Sequence, residues 1–122
     1  MAEAMLLFML VVKHALADLV LQSRLISGDK SNLKSSKGYI HAGDHAVCTF
    51  IVLLFFTSFQ NSVLIAMLDY VLHFIIDFTK TKLMRYYDIE TNSKKFWIFQ
   101  GVDQIAHYTC YFIYVLLLTN LL

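Results

Sequence analysis

The sequence predicts an all-α polytopic membrane protein in which four transmembrane helices form an antiparallel bundle. Three observations support this prediction. Hydrophobic residues make up 58% of the 122 residues and charged residues 16%, against about 45–50% and about 25% in soluble domains. Four apolar segments alternate with polar connectors, and each is close to the ~20 residues that cross ~30 Å of hydrocarbon. Lysine and arginine are concentrated in two of the connectors.

The four apolar segments cover residues 4–26, 40–59, 63–83 and 96–118. Residues 1–122 are therefore expected to form one domain, because a chain of this length has no room for a second. No proline interrupts the segments, and the connectors SGDKSNLKSSKG, FQNS and RYYDIETNSKK have the composition of turns. The N-terminus lacks the basic start of a cleavable secretory signal, so we expect the first segment to remain in the protein.

The basic residues predict the direction of the helices. Nine of the ten lie in or beside the first and third connectors: Arg24, Lys30, Lys34, Lys37, Lys80, Lys82, Arg85, Lys94 and Lys95. The positive-inside rule then places these connectors in the cytosol and both termini outside, in the inner (plasma) membrane. The tenth, Lys13, interrupts the first segment and is expected to face protein or water. A soluble bundle, or one segment lying flat on the membrane, is the alternative.

Charge and cysteine content exclude other classes of protein. A net charge of +1 does not predict binding to nucleic acid. Two cysteines without CxxC spacing exclude a disulfide scaffold and a cysteine zinc finger. The lipid bilayer is the expected partner, and a homo-oligomer remains open.

Each predicted helix carries two ionisable side chains four residues apart. The pairs contain all five histidines: His14–Asp18, His41–His45, His73–Asp77 and Asp103–His107. This spacing places both members on one helix face, one turn apart. An aspartate at the centre of a bilayer costs about 2.5–3.5 kcal/mol. We therefore expect these side chains to find partners inside the bundle.

The order of the pairs predicts two layers. The first and third helices run toward the cytosol with histidine before aspartate, whereas the fourth runs back with aspartate first. The aspartates should thus form one layer and the histidines a deeper one. The same depth count puts His45 level with the carboxylates and His41 near the membrane surface. Asp69 lies farther out and is expected to orient His73.

Mixed imidazole and carboxylate ligands suit Zn, Mn or Fe, as one ion or two. The expected ligands are His14, Asp18, His45, His73, Asp77, Asp103 and His107. Cys48 and Cys110 are weaker candidates, and the sequence leaves open whether His41 or His45 belongs to the site. A structural His–Asp network and a proton relay are the alternatives to a metal.

The stretches HALADLVLQ, HFIIDFTK and DQIAH resemble the signature of small phage and bacterial membrane proteins whose domain has no assigned function. The resemblance covers essentially the whole chain. It implies a common set of residues: His14, Asp18, Gln22, His45, His73, Asp77, Lys80, Asp103, Gln104 and His107. More loosely, the HxxxD pairs resemble membrane-bound metal-dependent hydrolases and helical zinc phosphoesterases of the phospholipase C type.

These observations predict a membrane-embedded metal-dependent hydrolase whose site lies in the cytosolic half of the bilayer and opens to the cytosol or to the inner leaflet. Phosphoesters, in a phospholipid or a nucleotide, fit the basic rim better than peptides. His45 is expected to act as a ligand or general base, Asp103 to take the proton of the attacking water, and Lys80 to hold the anionic group. An ion- or proton-translocating protein and a non-catalytic membrane module are the alternatives.

Overall fold

The computed structural model describes residues 1–21 and 30–121, and this part of the chain is helical without any strand. The all-α prediction is therefore confirmed. The helices are α1 (Ala2–Leu16), α2 (Ser36–Leu53), α3 (Phe59–Tyr86) and α4 (Lys94–Leu121). A π-helical turn, Ala17–Leu21, continues α1, and the predicted end of the first segment at residues 22–26 lies outside the described residues.

Serine side chains mark where three helices begin. The Oγ atoms of Ser35 and Ser58 each accept a hydrogen bond, at 3.3 Å, from a backbone N–H in the first turn of α2 and α3. Ser93 accepts one from the first turn of α4 at 3.1 Å. Such caps satisfy N–H groups that have no partner inside the helix. Both α2 and α3 thus begin four residues before the predicted positions, and FQNS is the first turn of α3 rather than a connector.

The four helices form a closed antiparallel ring. α1 packs against α2 and α4, and α3 packs against the same two helices from the other side. α2 and α3 approach closely at Gly38, where a Cβ atom would lie 3.1 Å from the Phe74 ring. The connector between α3 and α4 turns through Asp88 and Asn92, whose φ angles are 47° and 66°. Aspartate and asparagine adopt this left-handed region more readily than most residues.

The bundle has an apolar half and a polar half. Seven aliphatic side chains fill the end that holds the termini and the α2–α3 turn: Leu6, Leu10, Val52, Leu53, Ile65, Val115 and Leu118. The other half buries histidines and aspartates. On the outside, large apolar side chains are exposed on every helix, among them Phe8 at 64%, Val47 at 58%, Met67 at 64% and Val102 at 61%.

Two helical segments, Ala2–Leu21 and Phe59–Tyr86, are long and apolar enough to cross a membrane. α2 and α4 fall outside this set because polar side chains lower the hydropathy of both. The polytopic prediction is thus supported at two of its four spans.

Candidate metal centre

Four imidazoles form a stacked layer across the bundle, one from each helix. The rings of His45 and His73 stack with centroids 3.7 Å apart, and those of His73 and His107 with centroids 4.1 Å apart. His14 closes the layer, 4.8 Å from both His45 and His107. Each of these residues is at least 98% buried. The i,i+4 pairs therefore meet at the bundle axis.

One turn nearer the basic connectors lies a second layer, formed by three aspartates and His41. The Nε2 atom of His41 is 3.3 Å from Asp18 Oδ1 and 3.3 Å from Asp77 Oδ2. His41 therefore lies level with the carboxylates, and the ring of His45 stacks on that of His73 in the imidazole layer. The expectation that His45 shares the level of the carboxylates, with His41 nearer the membrane surface, was wrong, and α2 begins one turn earlier than predicted. Both histidines of α2 belong to the cluster.

Asp18 projects from the π-helical turn that follows α1. Its Oδ1 lies 3.1 Å from His45 Nε2, and its Oδ2 lies 3.2 Å from His14 Nε2. Single π-helical turns insert an extra residue into a helix and occur often at functional sites. Here the turn carries the most exposed carboxylate of the cluster, since 30% of the Asp18 side chain is accessible.

Asp77 and Asp103 approach His107 from two helices. The distances to His107 Nε2 are 3.4 Å from Asp77 Oδ1 and 3.7 Å from Asp103 Oδ1. Gln104 donates to Asp103 at 3.4 Å. The structure thus brings together all seven ligands expected from the sequence and adds His41.

Three overlapping groups of these residues could hold a metal ion. In each group the candidate ligand atoms lie within 4.8 Å of one another. The groups are Asp18–His41–His45–His73, His14–His73–His107 and Asp77–Asp103–His107. Tetrahedral coordination with bonds of about 2.0–2.1 Å separates neighbouring ligands by roughly 3.3 Å, and the contacts of Asp18 match this spacing. No cysteine among the described residues joins a group.

Several polar atoms of the cluster are buried without a hydrogen-bond partner in the described part of the chain. They include Nδ1 of His41 and of His45, both ring nitrogens of His73, and Oδ1 of Asp103. Buried polar atoms are nearly always hydrogen-bonded, and exceptions point to a water or ion. Nitrogen and oxygen atoms that have no hydrogen-bond partner and surround one centre are therefore suited to coordinate a cation.

Two lysines flank the cluster on the connector side. Lys30 pairs with Asp77 Oδ2, and Lys80 donates to Asp103 Oδ2 at 3.0 Å and to Gln100 Oε1 at 3.2 Å. Both are mostly buried, with 14% and 17% of their side chains exposed. Three carboxylates of the cluster thus lie close to two ammonium groups. The carboxylates and imidazoles fit a cation, and the lysines fit an anion beside it.

A third polar layer lies one turn above the imidazoles. Asp69 does not orient His73 as expected: its Oδ2 accepts from Lys13 at 3.1 Å and from Thr49 at 2.6 Å. Its Oδ1 accepts from Tyr114 at 3.2 Å. Lys13 also donates to the His45 carbonyl at 3.3 Å. Lys13 faces protein, because the polar half of the bundle supplies it with a carboxylate.

Besides the position of His41, sequence reasoning missed four contributors: Lys30, Thr49, Tyr111 and Tyr114. Tyr111 hydrogen-bonds His14 Nδ1 at 2.7 Å, and Lys13 lies 4.6 Å from the centre of its ring. The sequence contained a signal for two of them, because Tyr111 follows His107 by four residues and Thr49 follows His45 by four. This spacing places each of them on the same helix face as its histidine. Lys30 was assigned only to a connector. Gln22 lies outside the described residues.

Comparisons with known proteins bear on the family and not on the chemistry. No curated protein and no solved structure matches the chain. The looser likeness to metal-dependent hydrolases therefore stays a prediction. A family model described as "Protein of unknown function (DUF3307)" matches residues 6–122 and confirms the resemblance to a domain without assigned function. The chain belongs to this family.

Proposed function

We propose that the protein is a membrane-embedded, metal-dependent hydrolase of phosphoesters. One observation carries the proposal: eight histidine and aspartate side chains from four helices meet at one buried centre, several with unpartnered donor atoms. Two lysines stand at its mouth. The residues fit a cation, and the lysines fit the anionic group of a substrate.

Membrane insertion of all four helices is supported by the distribution of side chains. Apolar residues cover the outside of α2 and α4 as they do that of α1 and α3. In a soluble protein, exposed apolar surface of this extent marks an interaction site. Four spans bury it in lipid, with the basic connectors in the cytosol and both termini outside the inner membrane.

Two divalent ions, of Zn, Mn or Fe, account for the number of ligands. A catalytic zinc takes three protein ligands and leaves one position open, so eight ligands exceed what one ion uses. Asp18, His41 and His45 would hold one ion, and Asp77 and His107 would hold the other, with Asp103 left off it. His14 and His73 lie between them. Such an ion supplies Lewis-acid chemistry, polarising a phosphoryl oxygen and lowering the pKa of water to about 7.

In the proposed reaction, Asp103 carries the proton and two lysines bind the negative charge of the phosphate. Water oxygen forms a bond to phosphorus while the ester P–O bond to the leaving alcohol breaks. Asp103 Oδ1, buried and without a hydrogen bond, takes the proton that water loses and passes it to the departing alkoxide. Lys80 and Lys30 hold the phosphate oxygens. The net change is ester and water to alcohol and phosphate.

A structural network and a proton relay explain the cluster less well. A network that only joined helices would leave few buried polar atoms without a hydrogen bond. In this cluster several buried nitrogen and oxygen atoms have no hydrogen-bond partner among the described residues. A relay across the membrane needs a polar path, and Leu10 and Leu53, both fully buried, lie beyond the third polar layer.

Metal content and hydrolysis of the detergent-purified protein test the proposal. We expect two transition-metal ions per chain and metal-dependent release of phosphate or alcohol from phosphoester probes. His73→Ala and Asp77→Asn should lose metal and activity together. Asp88→Asn, which changes an aspartate in the α3–α4 connector, serves as the matched control and should retain both. Folded, metal-supplemented protein without stoichiometric metal overturns the metal centre, and metal without hydrolysis overturns the hydrolase.

A further inference from the structure

We propose that the substrate is a lipid phosphoester whose acyl chain lies in a groove between α3 and α4 and whose phosphate reaches Lys80 and the metal centre. This inference rests on the proposed function. It selects a lipid over a nucleotide, two substrates that the basic rim alone does not distinguish.

The groove has a volume of about 350 Å³, within the range of ligand pockets, about 300–1,000 Å³. Ile75 and Leu83 of α3 and Phe99 and Val102 of α4 form its walls. Ile75 is 51% and Val102 61% exposed, so the groove opens to whatever surrounds the bundle. In a bilayer that surrounding is hydrocarbon.

The groove shares two residues with the candidate metal centre and its rim. Lys80 and Asp103 line it together with the apolar walls, and they contact each other at 3.0 Å. The second oxygen of Asp103 lies 3.7 Å from His107 Nε2. One carboxylate therefore has one oxygen toward the groove lysine and one toward the cluster. A phosphate beside Lys80 lies next to the candidate ligands.

A second apolar groove, between α2 and α3, provides the comparison. It is larger, about 470 Å³, and is lined by residues that include Val47, Met67 and Tyr70. None of its lining residues belongs to the cluster or carries a positive charge. The α3–α4 groove combines apolar walls with a lysine, which suits the acyl chain and the phosphate of a lipid. A nucleotide fits it less well, because the polar edges of a base or ribose would lose hydrogen bonds against apolar walls.

Matched substrates and matched variants test the inference on the metal-loaded, full-length protein. The substrate pairs are dioleoyl phosphatidic acid with glycerol 3-phosphate, and phosphatidylglycerol with glycerophosphoglycerol. Each pair shares the reacting group and differs in the acyl chains. Val102→Trp fills the α3–α4 groove, and Met67→Trp, at a site of similar exposure, fills the other.

We expect lipids to be hydrolysed faster than their water-soluble partners. Val102→Trp should reduce lipid hydrolysis at least tenfold relative to hydrolysis of the soluble esters, the loss of about two buried methylene groups at ~0.8 kcal/mol each. Met67→Trp should leave both unchanged. Equal effects of the two variants, or no preference for lipids, overturn the inference while the hydrolase stands.

Binding gives a readout that does not need turnover. A phosphatidic acid with a diazirine in its acyl chain should label the α3–α4 groove in preference to the α2–α3 groove, and unlabelled phosphatidic acid should compete. Such labelling without hydrolysis of any probe overturns the proposed function and leaves the lipid site standing. Uniform, uncompeted labelling of both grooves overturns the lipid site.

Discussion

Two buried polar regions lie one helical turn apart in this bundle and differ in how completely their charges are matched. Around Asp69, both carboxylate oxygens accept hydrogen bonds, from Lys13, Thr49 and Tyr114. In the histidine cluster below it, both ring nitrogens of His73 are buried without a hydrogen bond to any residue that the structure describes. In the first region, protein groups satisfy both carboxylate oxygens. In the second region, several nitrogen and oxygen atoms have no hydrogen-bond partner among the described residues.

This difference distinguishes ionisable residues that stabilise the bundle from ionisable residues that are candidates for binding an ion, although the two sets look alike in sequence. Both regions are built from ionisable side chains in apolar helices, which cost free energy in a membrane. A buried charge with its own ion pair contributes to holding helices in register. A buried set of unpaired imidazole nitrogens instead fits an external partner, and these side chains belong to groups that could hold a metal ion.

Removing one member of the Lys13–Asp69 pair should have the largest effect on stability. Lys13→Met leaves the Asp69 charge buried without its cation, and we expect the free energy of unfolding to fall by about 3–5 kcal/mol. Denaturant titration of the detergent-solubilised protein measures it. Lys13→Met combined with Asp69→Asn should recover most of the loss, and the double variant should keep its metal. Wild-type stability of Lys13→Met would contradict the assignment.

Metal should stabilise the wild-type fold and not the variant that lacks a central ligand. At a free metal concentration 100 times the Kd, binding adds about 2.7 kcal/mol to the free energy of unfolding. Thermal unfolding with metal and with a chelator measures the difference. We expect no such difference in His73→Ala, and the same stabilisation in Asp88→Asn as in the wild type. Metal-dependent stabilisation of His73→Ala would count against the cluster.

Tyr111 should tune the metal centre from the boundary between the two regions. Its hydroxyl hydrogen-bonds His14 Nδ1, which leaves Nε2 for a metal. Loss of such a partner typically lowers metal affinity about 10–100-fold, and we expect this for Tyr111→Phe in competition with a chelating dye. Tyr114→Phe removes a hydroxyl from Asp69 instead and should leave the affinity unchanged. Equal affinities for both variants would show that Tyr111 does not position His14.

The smallest effect is expected from the cysteines. Cys48 and Cys110 are half-buried free thiols that belong to none of the candidate ligand groups. The double variant Cys48→Ala and Cys110→Ala should keep the full metal content by elemental analysis. A drop in bound metal would add a thiol to the ligand set.

The existence of the cluster was predictable because the information is local. Side chains four residues apart share a helix face, so pairs such as His14–Asp18 and Asp103–His107 point the same way whatever the bundle geometry. The level of His41 was not, because it depends on where α2 begins. Ser35 caps that helix, and α2 begins one turn before its predicted start.

Partners distant in sequence could not be predicted in the same way. Asp69 lies four residues before His73, which favoured a contact between them, yet it pairs with Lys13, 56 positions away. That choice depends on how α1 and α3 face each other, which no local pattern encodes. Lys30 is a similar case, since a connector residue reaches Asp77 only when the chain folds back over the bundle.

The aliphatic end of the bundle restricts access to the histidine cluster to the opposite end. Leu10 and Leu53 are fully buried there, so a molecule that reaches the histidines arrives past Asp18, Lys30 or Lys80. For an embedded enzyme of this design, only one leaflet delivers substrate, and the products return to that same leaflet. Such an enzyme would change the lipid asymmetry of its membrane without moving any lipid across it.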